Sequence, residues 1–286
     1  MFKYFLYRLG LFLLDVLPLS WCYGITRMIS DAHYALSRQD REAVRRNLEK
    51  VLGPGQVSPA QIREVFRNFG KYLIEFFRMH KMVDRSFAAE RVRVENRFYL
   101  DEVLKQGRGA IVVTAHLGNW EMGAAVLGAL GYSVMAVALP HKEKKINDLF
   151  NLQRALQGVE IVPPNTALRR CLGHLKKNQV VALVADRDFA LTGSPLEFFG
   201  EKAIFPKGPA AFAQKTGAAV IPAFLIRAED QGFLLQLEPP LWPAERPAAT
   251  AADAILNLMR GYVAVLAAYI RRYPTQWMMF REFWVS

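Results

Sequence analysis

The sequence predicts an α/β fold with a mostly parallel central sheet that is flanked by helices. From residue 91 onward, short continuous apolar runs alternate with amphipathic segments of helical length. Runs that are apolar at nearly every position are typical of strands covered on both faces, and their alternation with helices is typical of a parallel sheet. The apolar fraction is 52% of 286 residues, which is ample for a large core and excludes a disordered chain.

The first segment, MFKYFLYRLGLFLLDVLPLSWCYGI, predicts a helix that lies in or on a membrane. Its aromatic side chains are of the kind that anchors a helix at the membrane interface. A spanning helix needs about 18 apolar residues with few charges, whereas Lys3, Arg8 and Asp15 interrupt this run. A spanning anchor and a core helix are the alternatives. Because no flexible linker follows, we expect a membrane-associated helix over 1–26 and one further domain over 27–286.

Two helices are predicted between this segment and the first strand. Residues 41–52 form a short basic helix. Ser58 and Pro59 match an N-cap that is followed by proline at the first helical position. After them, apolar residues from Ile62 to Phe77 recur at three- and four-residue spacing, which predicts an amphipathic helix.

Strands alternate with helices in the rest of the chain. The strands are expected at 91–96, 109–116, 132–139, 159–164, 180–186, 218–227 and 231–240, and the helices at 119–130, 142–157, 166–177, 207–216 and 251–272. We expect the last two strands to pair as a hairpin. Because ligands of parallel sheets bind beyond the carboxyl ends of the strands, polar residues at those ends are candidates for a functional site.

A histidine and a glutamate follow the second strand in the segment TAHLGNWE, residues 114–121. His116 stands where the strand ends, Asn119 is placed to cap the next helix, and Glu121 lies in its first turn, where it could turn back toward the imidazole. A neutral imidazole can take a proton from a hydroxyl that attacks a carbonyl, and a carboxylate on the other ring nitrogen fixes the tautomer. This H-x4-E pair therefore suits general-base catalysis. A hydrogen-bonded structural histidine is the alternative.

No nucleophile or metal ligand set accompanies the pair in the sequence. The motif G-x-S-x-G is absent, which favours direct transfer to an acceptor hydroxyl over a covalent enzyme intermediate. The pair is not H-E-x-x-H, and no further cluster of histidine or cysteine would complete a coordination shell, so we expect no metal. Cys22 and Cys171 are too few for a disulfide framework.

Two other segments carry polar candidates. The triplet DRD at 186–188 follows another strand, so it meets His116 in one crevice if the two strands are neighbours. In the segment FPKGPAAFAQKTGAAVIP, a helix opens at Gly208, and its free amides can hold an anion beside Lys207. An ordinary junction between a loop and a helix is the alternative for the second segment.

The chain is basic, with 37 Lys and Arg against 26 Asp and Glu and a net charge of +11. Such a surface suits a nucleic acid, an anionic lipid, a phosphorylated substrate or an acidic carrier protein. The sequence contains no recognised nucleic-acid-binding motif and its charge is spread out, so we expect no nucleic-acid partner.

Four segments together resemble the late acyltransferases of lipid A biosynthesis, a family within the wider glycerolipid and lysophospholipid acyltransferase superfamily. They are TAHLGNWE, VADRDFALTGSPLEFFG, FPKGPAAFAQKTGAAVIP and the ending YPTQW, and the similarity runs from about residue 1 to the C-terminus. The resemblance implies an α/β fold, an N-terminal membrane anchor and a lipid or glycolipid acceptor. It also implies a thioester of acyl carrier protein or coenzyme A as acyl donor, and no cofactor besides this co-substrate.

The resemblance also implies roles for individual residues. His116 would be the base and Glu121 its partner, and Arg154 lies where the family tends to place an arginine near the site. The candidates for substrate binding are Asn119, Arg154, Asp186, Arg187, Asp188, Lys207 and Gly208. Lys207 stands where the superfamily's F-P-E-G block has glutamate, and the lipid A branch usually has a residue other than glutamate at this position. The segment Met278–Arg281 replaces a more polar ending, and this departure bears on the acceptor rather than on the reaction.

From these observations we expect a monotopic membrane acyltransferase on the cytoplasmic face of the inner membrane. It would move a fatty acyl chain from a thioester to a hydroxyl of a phosphorylated glycolipid, namely a lipid A precursor. A lysophospholipid, an ornithine-type lipid and a mannolipid are alternative acceptors. A lipid-binding protein of the same fold without turnover is a further alternative, against which the intact pair of His116 and Glu121 argues.

Overall fold

The computed structural model describes residues 2–188, 193–228, 232–244 and 250–284, with side chains from Tyr7 onward. The strands are β1 (Val92–Glu95), β2 (Ala110–Thr114), β3 (Val134–Val137), β4 (Glu160–Val162), β5 (Val180–Val184), β6 (Ser194–Phe198), β7 (Glu201–Phe205), β8 (Ala219–Arg227) and β9 (Phe233–Leu237). The helices are α1 (Phe2–Val16), α2 (Leu19–Leu36), α3 (Arg38–Leu52), α4 (Pro59–Met82), α5 (Arg85–Glu90), α6 (Phe98–Lys105), α7 (Trp120–Ala129), α8 (Lys144–Ala155), α9 (Pro164–Lys176), α10 (Gly208–Thr216) and α11 (Ala251–Arg272). A short 3₁₀ turn, Pro274–Gln276, follows α11.

A seven-stranded sheet with the order β1-β9-β8-β2-β5-β3-β4 forms the centre of the fold. Its neighbours run parallel except for β8 and β9, which pair antiparallel as predicted. The predicted mostly parallel α/β fold is therefore confirmed. A second sheet, the hairpin of β6 and β7, was not predicted. Its strands turn at Phe199 and Gly200, both with positive φ, after a strand that contains Pro195, so the usual strand signals are weak there.

Helices cover both faces of the central sheet. The central strands contribute side chains to two apolar clusters, one on each face. Ile111 and Val113 of β2 join the cluster that includes α9, α10 and α11, whereas Ala110 and Val112 join the cluster that includes α4, α7 and α8. Alternate residues of a strand point to opposite faces, so a strand buried on both faces is apolar at every position. This explains the continuous apolar run that identified β2 in the sequence.

The N-terminal segment forms two helices rather than the single helix that the sequence predicted. α1 ends at Val16 and α2 begins at Leu19, with Pro18 between them. Proline has no backbone N–H and clashes with the preceding turn, so it ends one helix and opens the next. α2 continues through residue 26 to Leu36, and the division of the chain at residue 26 stays a prediction.

Both N-terminal helices pack on α4, which Ser58 caps as predicted and where Gln61 completes a capping box. Gly70 allows α4 to lie close to α2. A Cβ at this position would lie 2.4 Å from the Ser30 hydroxyl oxygen and 2.7 Å from that of Thr26. The opposite faces of α1 and α2 are apolar and exposed. They present the side chains of Leu9, Phe12, Leu13, Val16, Trp21, Ile25, Met28 and Ile29.

Among the helices that the structure describes, Ala251–Arg272 has the length and mean hydropathy that a membrane span would need. That helix, α11, packs one face on the core, where Tyr262, Leu266 and Ile270 are buried. The mean hydropathy of α11 therefore reflects its contribution to the apolar core of the fold.

Candidate functional site

His116 and Asp186 meet because their strands are neighbours. β2 pairs with β5 in parallel register, with Thr114 opposite Val184, so the residues that follow both strands reach the same edge of the sheet. The Nδ1 atom of His116 lies 2.7 Å from Oδ1 of Asp186. The backbone N–H of His116 donates to Oδ2 of the same carboxylate at 3.0 Å. The predicted crevice between the two strand ends is thus confirmed.

The Asp186 carboxylate is completely buried and its contacts favour the ionised form. Burial alone would raise its pKa, but the charge of His116, the hydrogen bonds from His116 and a bond from the Trp277 indole N–H outweigh burial and lower the pKa below its usual value. An ionised carboxylate is an acceptor only, so Nδ1 of His116 carries the proton. In the neutral imidazole Nε2 then keeps its lone pair, which is the form that a general base requires.

Glu121 does not contact the imidazole, and this part of the sequence-based prediction is wrong. Its carboxylate forms a two-point ion pair with Arg154, with Nη2 to Oε1 at 2.5 Å and Nε to Oε2 at 3.0 Å. Arg154 is 7% exposed; burial alone would lower its pKa, but the charge and hydrogen bonds of Glu121 outweigh burial and raise the pKa. Glu121 lies in the first turn of α7, whose direction carries the carboxylate toward α8 instead of back to the strand end.

The turn between His116 and α7 is held from two sides. Gly118 has a φ of 64°, and a Cβ there would lie 2.1 Å from the carbonyl oxygen of Leu225 in β8, so a glycine is required. Its backbone N–H donates to the carbonyl of Gln276 at 3.0 Å. The N–H of Met278 donates to the carbonyl of His116 at 2.8 Å. Strand β8 and the C-terminal segment thus fix the position of the imidazole backbone.

Asn119 caps α7, as the sequence predicted, and its side-chain amide forms hydrogen bonds to other groups of the protein. Its Oδ1 accepts from the backbone N–H of Met122, and its Nδ2 donates to Oε2 of Glu75 at 2.8 Å. Asn119 is 1% exposed and is absent from the cavity wall, so a contact from its side chain to a substrate has no support in this geometry.

Glu75 is a buried acid that joins four elements of the fold. Besides Asn119, it accepts from the guanidinium of Arg227 through both oxygens and from the hydroxyl of Tyr23 at 2.9 Å. Tyr23 lies on α2, Glu75 on α4 and Arg227 at the end of β8. This network connects the N-terminal helices to the turn between His116 and α7.

Aromatic rings fix the orientation of the imidazole. The indole ring of Trp120 meets the His116 ring edge to face, with centroids 4.9 Å apart. The same indole stacks on Tyr72 of α4 at 4.4 Å. Such contacts restrict rotation of the imidazole about its side-chain bonds, so Nε2 keeps one direction.

A cavity of about 790 Å³ opens beside His116. Much of its wall is apolar and comes from α1, α4, α8, α10, β3, β4, β5 and the C-terminal segment. The apolar lining residues include Tyr7, Leu73, Phe150, Ile161, Leu183, Phe212, Met278 and Phe280. The charged and polar groups of the wall include His116, Glu121, His141, Arg154, Arg187, Asp188 and Arg281. An apolar cavity with a few converging polar groups is the usual form of a small-molecule site.

The structure places the predicted binding residues in three situations. Arg154, Arg187, Asp188 and Gly208 line the cavity. Asp186 is buried behind the imidazole, so its contact is with His116 instead of with a substrate. Lys207 is exposed at the start of α10 and is not part of the cavity wall; the amino end of that helix reaches the cavity through Gly208 and its neighbours.

Sequence analysis missed three groups of this site. His141 lines the cavity and packs on Phe150; burial, followed by the charge of Arg154, lowers its pKa. Trp277 donates to Asp186, although the sequence shows it only as part of the ending YPTQW. Arg281 lines the cavity from the C-terminal segment. Each is brought to the site by contacts that are distant in the sequence, so no local pattern identifies it.

In the parts of the chain that the structure describes, no three side chains of His, Cys, Asp or Glu come together to hold a metal ion. The arrangement of His116, Asp186 and the cavity offers one evident chemistry. The imidazole can take a proton from a hydroxyl group bound beside it while that oxygen attacks an electrophilic carbon.

Comparisons with known proteins show the family to which the chain belongs. The family described as bacterial lipid A biosynthesis acyltransferase matches residues 1–286. A phosphatidylinositol mannoside acyltransferase of Mycobacterium tuberculosis (strain CDC 1551 / Oshkosh) is 30% identical over 262 residues, which cover 89% of this chain and 80% of the relative. A lipid A biosynthesis palmitoleoyltransferase of Escherichia coli (strain K12) is 28% identical over 241 residues, which cover 80% of this chain and 76% of the relative. The crystal structure of the 1-acyl-sn-glycerophosphate acyltransferase PlsC from Thermotoga maritima overlaps 86% of this chain and 94% of its own, with a TM-score of 0.39 and 13% identity.

Proposed function

Because the chain belongs to the bacterial lipid A biosynthesis acyltransferase family, we propose that it moves a fatty acyl chain from a thioester to a hydroxyl of a phosphorylated membrane glycolipid. The chain is an acyltransferase, as are its relatives. The observation that carries the proposal is the His116 imidazole, whose Nδ1 lies against the Asp186 carboxylate and whose ring lines a largely apolar cavity.

The proposed reaction is a direct transfer with His116 as general base. Nε2 takes the proton of the acceptor hydroxyl as its oxygen attacks the thioester carbon, and the carbonyl electrons move onto the carbonyl oxygen. The tetrahedral intermediate collapses, the carbon–sulfur bond breaks, and the imidazolium returns its proton to the leaving thiolate. The products are an ester and a free thiol. Asp186 stabilises the transient imidazolium and keeps the reactive tautomer.

Arg154 is proposed to stabilise the charge that develops on the thioester oxygen. Its guanidinium is buried and lines the same cavity as His116, and a buried cation acts strongly on developing negative charge. Glu121 holds the guanidinium by two hydrogen bonds. In this proposal Glu121 is a positioning residue that acts through Arg154.

The apolar wall of the cavity is proposed to hold the acyl chain. Its volume of about 790 Å³ lies in the range of about 300–1,000 Å³ that is usual for small-molecule sites. Tyr7 of α1 belongs to this wall and packs edge-on against Phe77 and Phe150. The N-terminal helix therefore supports the binding of an acyl chain as well as any contact with a membrane.

A membrane surface is the proposed location of the enzyme, on the cytoplasmic face of the inner membrane. The exposed apolar faces of α1 and α2, with Phe12, Trp21 and Met28, support this proposal, because exposed patches of this kind mark interaction surfaces. The donor would be a thioester of acyl carrier protein or of coenzyme A. The net charge of +11 favours both of these donors and an anionic membrane.

Two acceptors are proposed in order. A lipid A precursor is the first, on the family and on the palmitoleoyltransferase relative. A mannolipid is the second, and the relative that acylates phosphatidylinositol mannoside favours it by its higher identity and longer overlap. Lys207 and Gly208, at the start of α10, and Arg187 and Asp188, after β5, are the residues proposed to contact the polar part of the acceptor.

The test is an acyl-transfer assay with purified protein and both acceptors, in which mass spectrometry detects the added acyl ester. The proposal expects one acceptor to gain a single acyl chain with an acyl thioester as donor. The His116→Ala variant should form the ester about 10²–10⁴-fold more slowly than the wild type. If neither acceptor is acylated by the wild type, and the lipids of cells with and without the protein are the same, the proposed function fails.

A further inference from the structure

Tyr72 of α4 carries a hydroxyl group at the wall of the cavity that contains His116. The residue is 6% exposed, and its hydroxyl forms no hydrogen bond with the part of the chain that the structure describes. Its oxygen is not completely enclosed by protein atoms, in contrast to Oγ1 of Thr114, which is enclosed and has no partner among the same residues. Buried tyrosine hydroxyls usually have a partner, and the loss of one costs free energy. A molecule bound in the cavity can supply the acceptor for this hydroxyl.

Ring contacts hold the side chain of Tyr72 in one orientation. Its ring stacks on Trp120, with centroids 4.4 Å apart, and on Phe76, with centroids 6.2 Å apart. Trp120 in turn meets the His116 ring at 4.9 Å, and the guanidinium carbon of Arg154 lies 5.6 Å from the centroid of Phe76. Tyr72 therefore packs against the neighbours of both the proposed base and the buried cation, and all three residues line the same cavity.

The hydroxyl of Tyr72 is a hydrogen-bond donor at neutral pH. Burial raises its pKa well above the usual value, and the charge of Glu121 acts in the same direction against the opposing charge of Arg154. The phenol therefore keeps its proton. The carboxylate of Glu121, which follows Trp120 in the chain, accepts from the Arg154 guanidinium through both of its oxygens. The proton of Tyr72 is thus available to an oxygen atom of a bound substrate.

We propose that the Tyr72 hydroxyl donates a hydrogen bond to the carbonyl oxygen of the acyl thioester and stabilises the negative charge that this oxygen gains during transfer. Arg154 acts on the same oxygen as a cation, whereas Tyr72 is a neutral donor whose direction its ring contacts fix. Donors that are fixed in advance stabilise developing charge without reorganisation at the moment of reaction. The inference rests on the proposed function, because it assigns Tyr72 a role in that reaction.

Tyr72 keeps its proton throughout this reaction. The bonds that form and break are those of the proposed transfer: the acceptor oxygen bonds to the thioester carbon, and the carbon–sulfur bond breaks. His116 carries the proton of the acceptor hydroxyl to the leaving thiolate. The hydrogen bond from Tyr72 strengthens as the carbonyl oxygen becomes negative and weakens again when the carbonyl of the ester forms.

The kinetic test uses the full-length Tyr72→Phe variant, which removes the hydroxyl and keeps the ring that stacks on Trp120. If the ring served only to contact the acyl chain, phenylalanine would serve equally well. The inference predicts that kcat falls by about 10²–10³-fold, the range for loss of one donor to an oxyanion. KM for an acyl-coenzyme A donor should change little, because the bond acts mainly in the transition state. The melting temperature should not fall, since the hydroxyl has no partner in the described part of the chain.

Tyr269→Phe is the matched control. Tyr269 of α11 is 8% exposed and stacks on Phe224 with centroids 4.0 Å apart, but it does not belong to the cavity wall. Its hydroxyl donates to the carboxylate of Glu238. Loss of this hydrogen bond should lower the melting temperature by a few degrees and leave kcat near the wild-type value. The two variants should therefore show opposite patterns in activity and stability.

A second measurement does not depend on turnover. The donor is labelled with carbon-13 at the thioester carbonyl and bound to His116→Ala, and the carbonyl band is recorded by infrared difference spectroscopy. A hydrogen bond weakens the carbonyl double bond. The band should therefore lie at lower frequency in His116→Ala than in the double variant His116→Ala with Tyr72→Phe.

The inference is wrong if Tyr72→Phe keeps the wild-type kcat, if it raises only KM for the acceptor, or if it loses kcat and melting temperature together. It is also wrong if the carbonyl band has the same frequency in the single and the double variant. Failure of the proposed function would look different. The wild type would then transfer no acyl chain to either acceptor, while a shifted band would still show that Tyr72 binds the carbonyl of the thioester.

Discussion

The Nδ1 atom of His116 lies 2.7 Å from Oδ1 of Asp186, a residue 70 positions later in the chain. The other oxygen of Asp186 accepts two bonds, from the backbone N–H of His116 and from the indole N–H of Trp277. Three donors therefore surround one buried carboxylate. This arrangement explains how the chain sets the tautomer of its proposed general base without a contact from Glu121.

Asp186→Asn should reverse the tautomer of His116. An amide oxygen would take the place of Oδ2, where two N–H groups point at it, and the amide NH₂ would face Nδ1. Nδ1 would then be an acceptor and Nε2 would carry the proton, so the base would be lost. We expect kcat to fall by about 10²–10⁴-fold, the range for loss of general-base catalysis. Nitrogen-15 NMR of the imidazole should show the proton on Nε2 in the variant and on Nδ1 in the wild type. An unchanged tautomer with normal kcat would contradict this explanation.

Glu121→Gln should act through Arg154 and leave the imidazole unaffected. The substitution removes the charge that holds the guanidinium, while the contact between His116 and Asp186 remains. We expect a smaller loss of kcat than in His116→Ala, of about ten-fold, which is the effect of about 1.4 kcal/mol. The same Nitrogen-15 spectrum should be unchanged. A reversed tautomer in Glu121→Gln would show that Glu121 acts on the imidazole after all.

Glu75→Gln should destabilise the fold strongly. Glu75 is completely buried, and its substitution leaves the Arg227 guanidinium without its counter-charge, which costs about 3–5 kcal/mol for a buried pair. Urea unfolding should show this loss, and the double variant with Arg227→Gln should lose less than the sum of the two single losses. Lys144→Gln is the contrasting control, because its exposed ion pair with Asp148 should contribute less than about 1 kcal/mol. Additive losses for Glu75 and Arg227 would mean that their charges are not coupled.

Substitution of the outward residues of α2 should release the protein from membranes. Trp21, Met28 and Ile29 are exposed, whereas Cys22 and Thr26 are buried against the domain, so a polar replacement of the first three leaves the packing of α2 intact. Trp21→Ser, Met28→Gln and Ile29→Gln together should weaken binding to anionic vesicles at least ten-fold, because each removes apolar area that the membrane would bury. Sedimentation with vesicles measures this. Equal binding by the triple variant and the wild type would place the membrane contact elsewhere.

The sequence predicted the parts of the fold that depend on local pattern. The strands around His116 are continuous apolar runs, and the cap at Ser58 follows from a local hydrogen bond, so both were placed correctly. The position of His116 at a strand end was also predicted. Such features need only the alternation of faces along a strand and the demands of a helix end.

The rest of the site depends on contacts that are distant in the sequence. The pairing of β2 with β5 decides that Asp186, and not the nearby Glu121, reaches the imidazole. The same holds for Trp277, which the C-terminal segment brings to Asp186 from 91 positions away. A spacing of five residues suggests that two side chains are neighbours, but the direction of the helix that follows can separate them, as α7 does for Glu121.

The turnover number of purified His116→Ala, measured beside wild type and His141→Ala, tests the central claim most directly. His141 also lines the cavity, but its ring packs on Phe150 and has no carboxylate partner in the described part of the chain. If His116 is the general base, His116→Ala should lose about 10²–10⁴-fold in kcat, and His141→Ala should lose far less. A His116→Ala variant that is folded and keeps more than about a tenth of the wild-type kcat would contradict the claim.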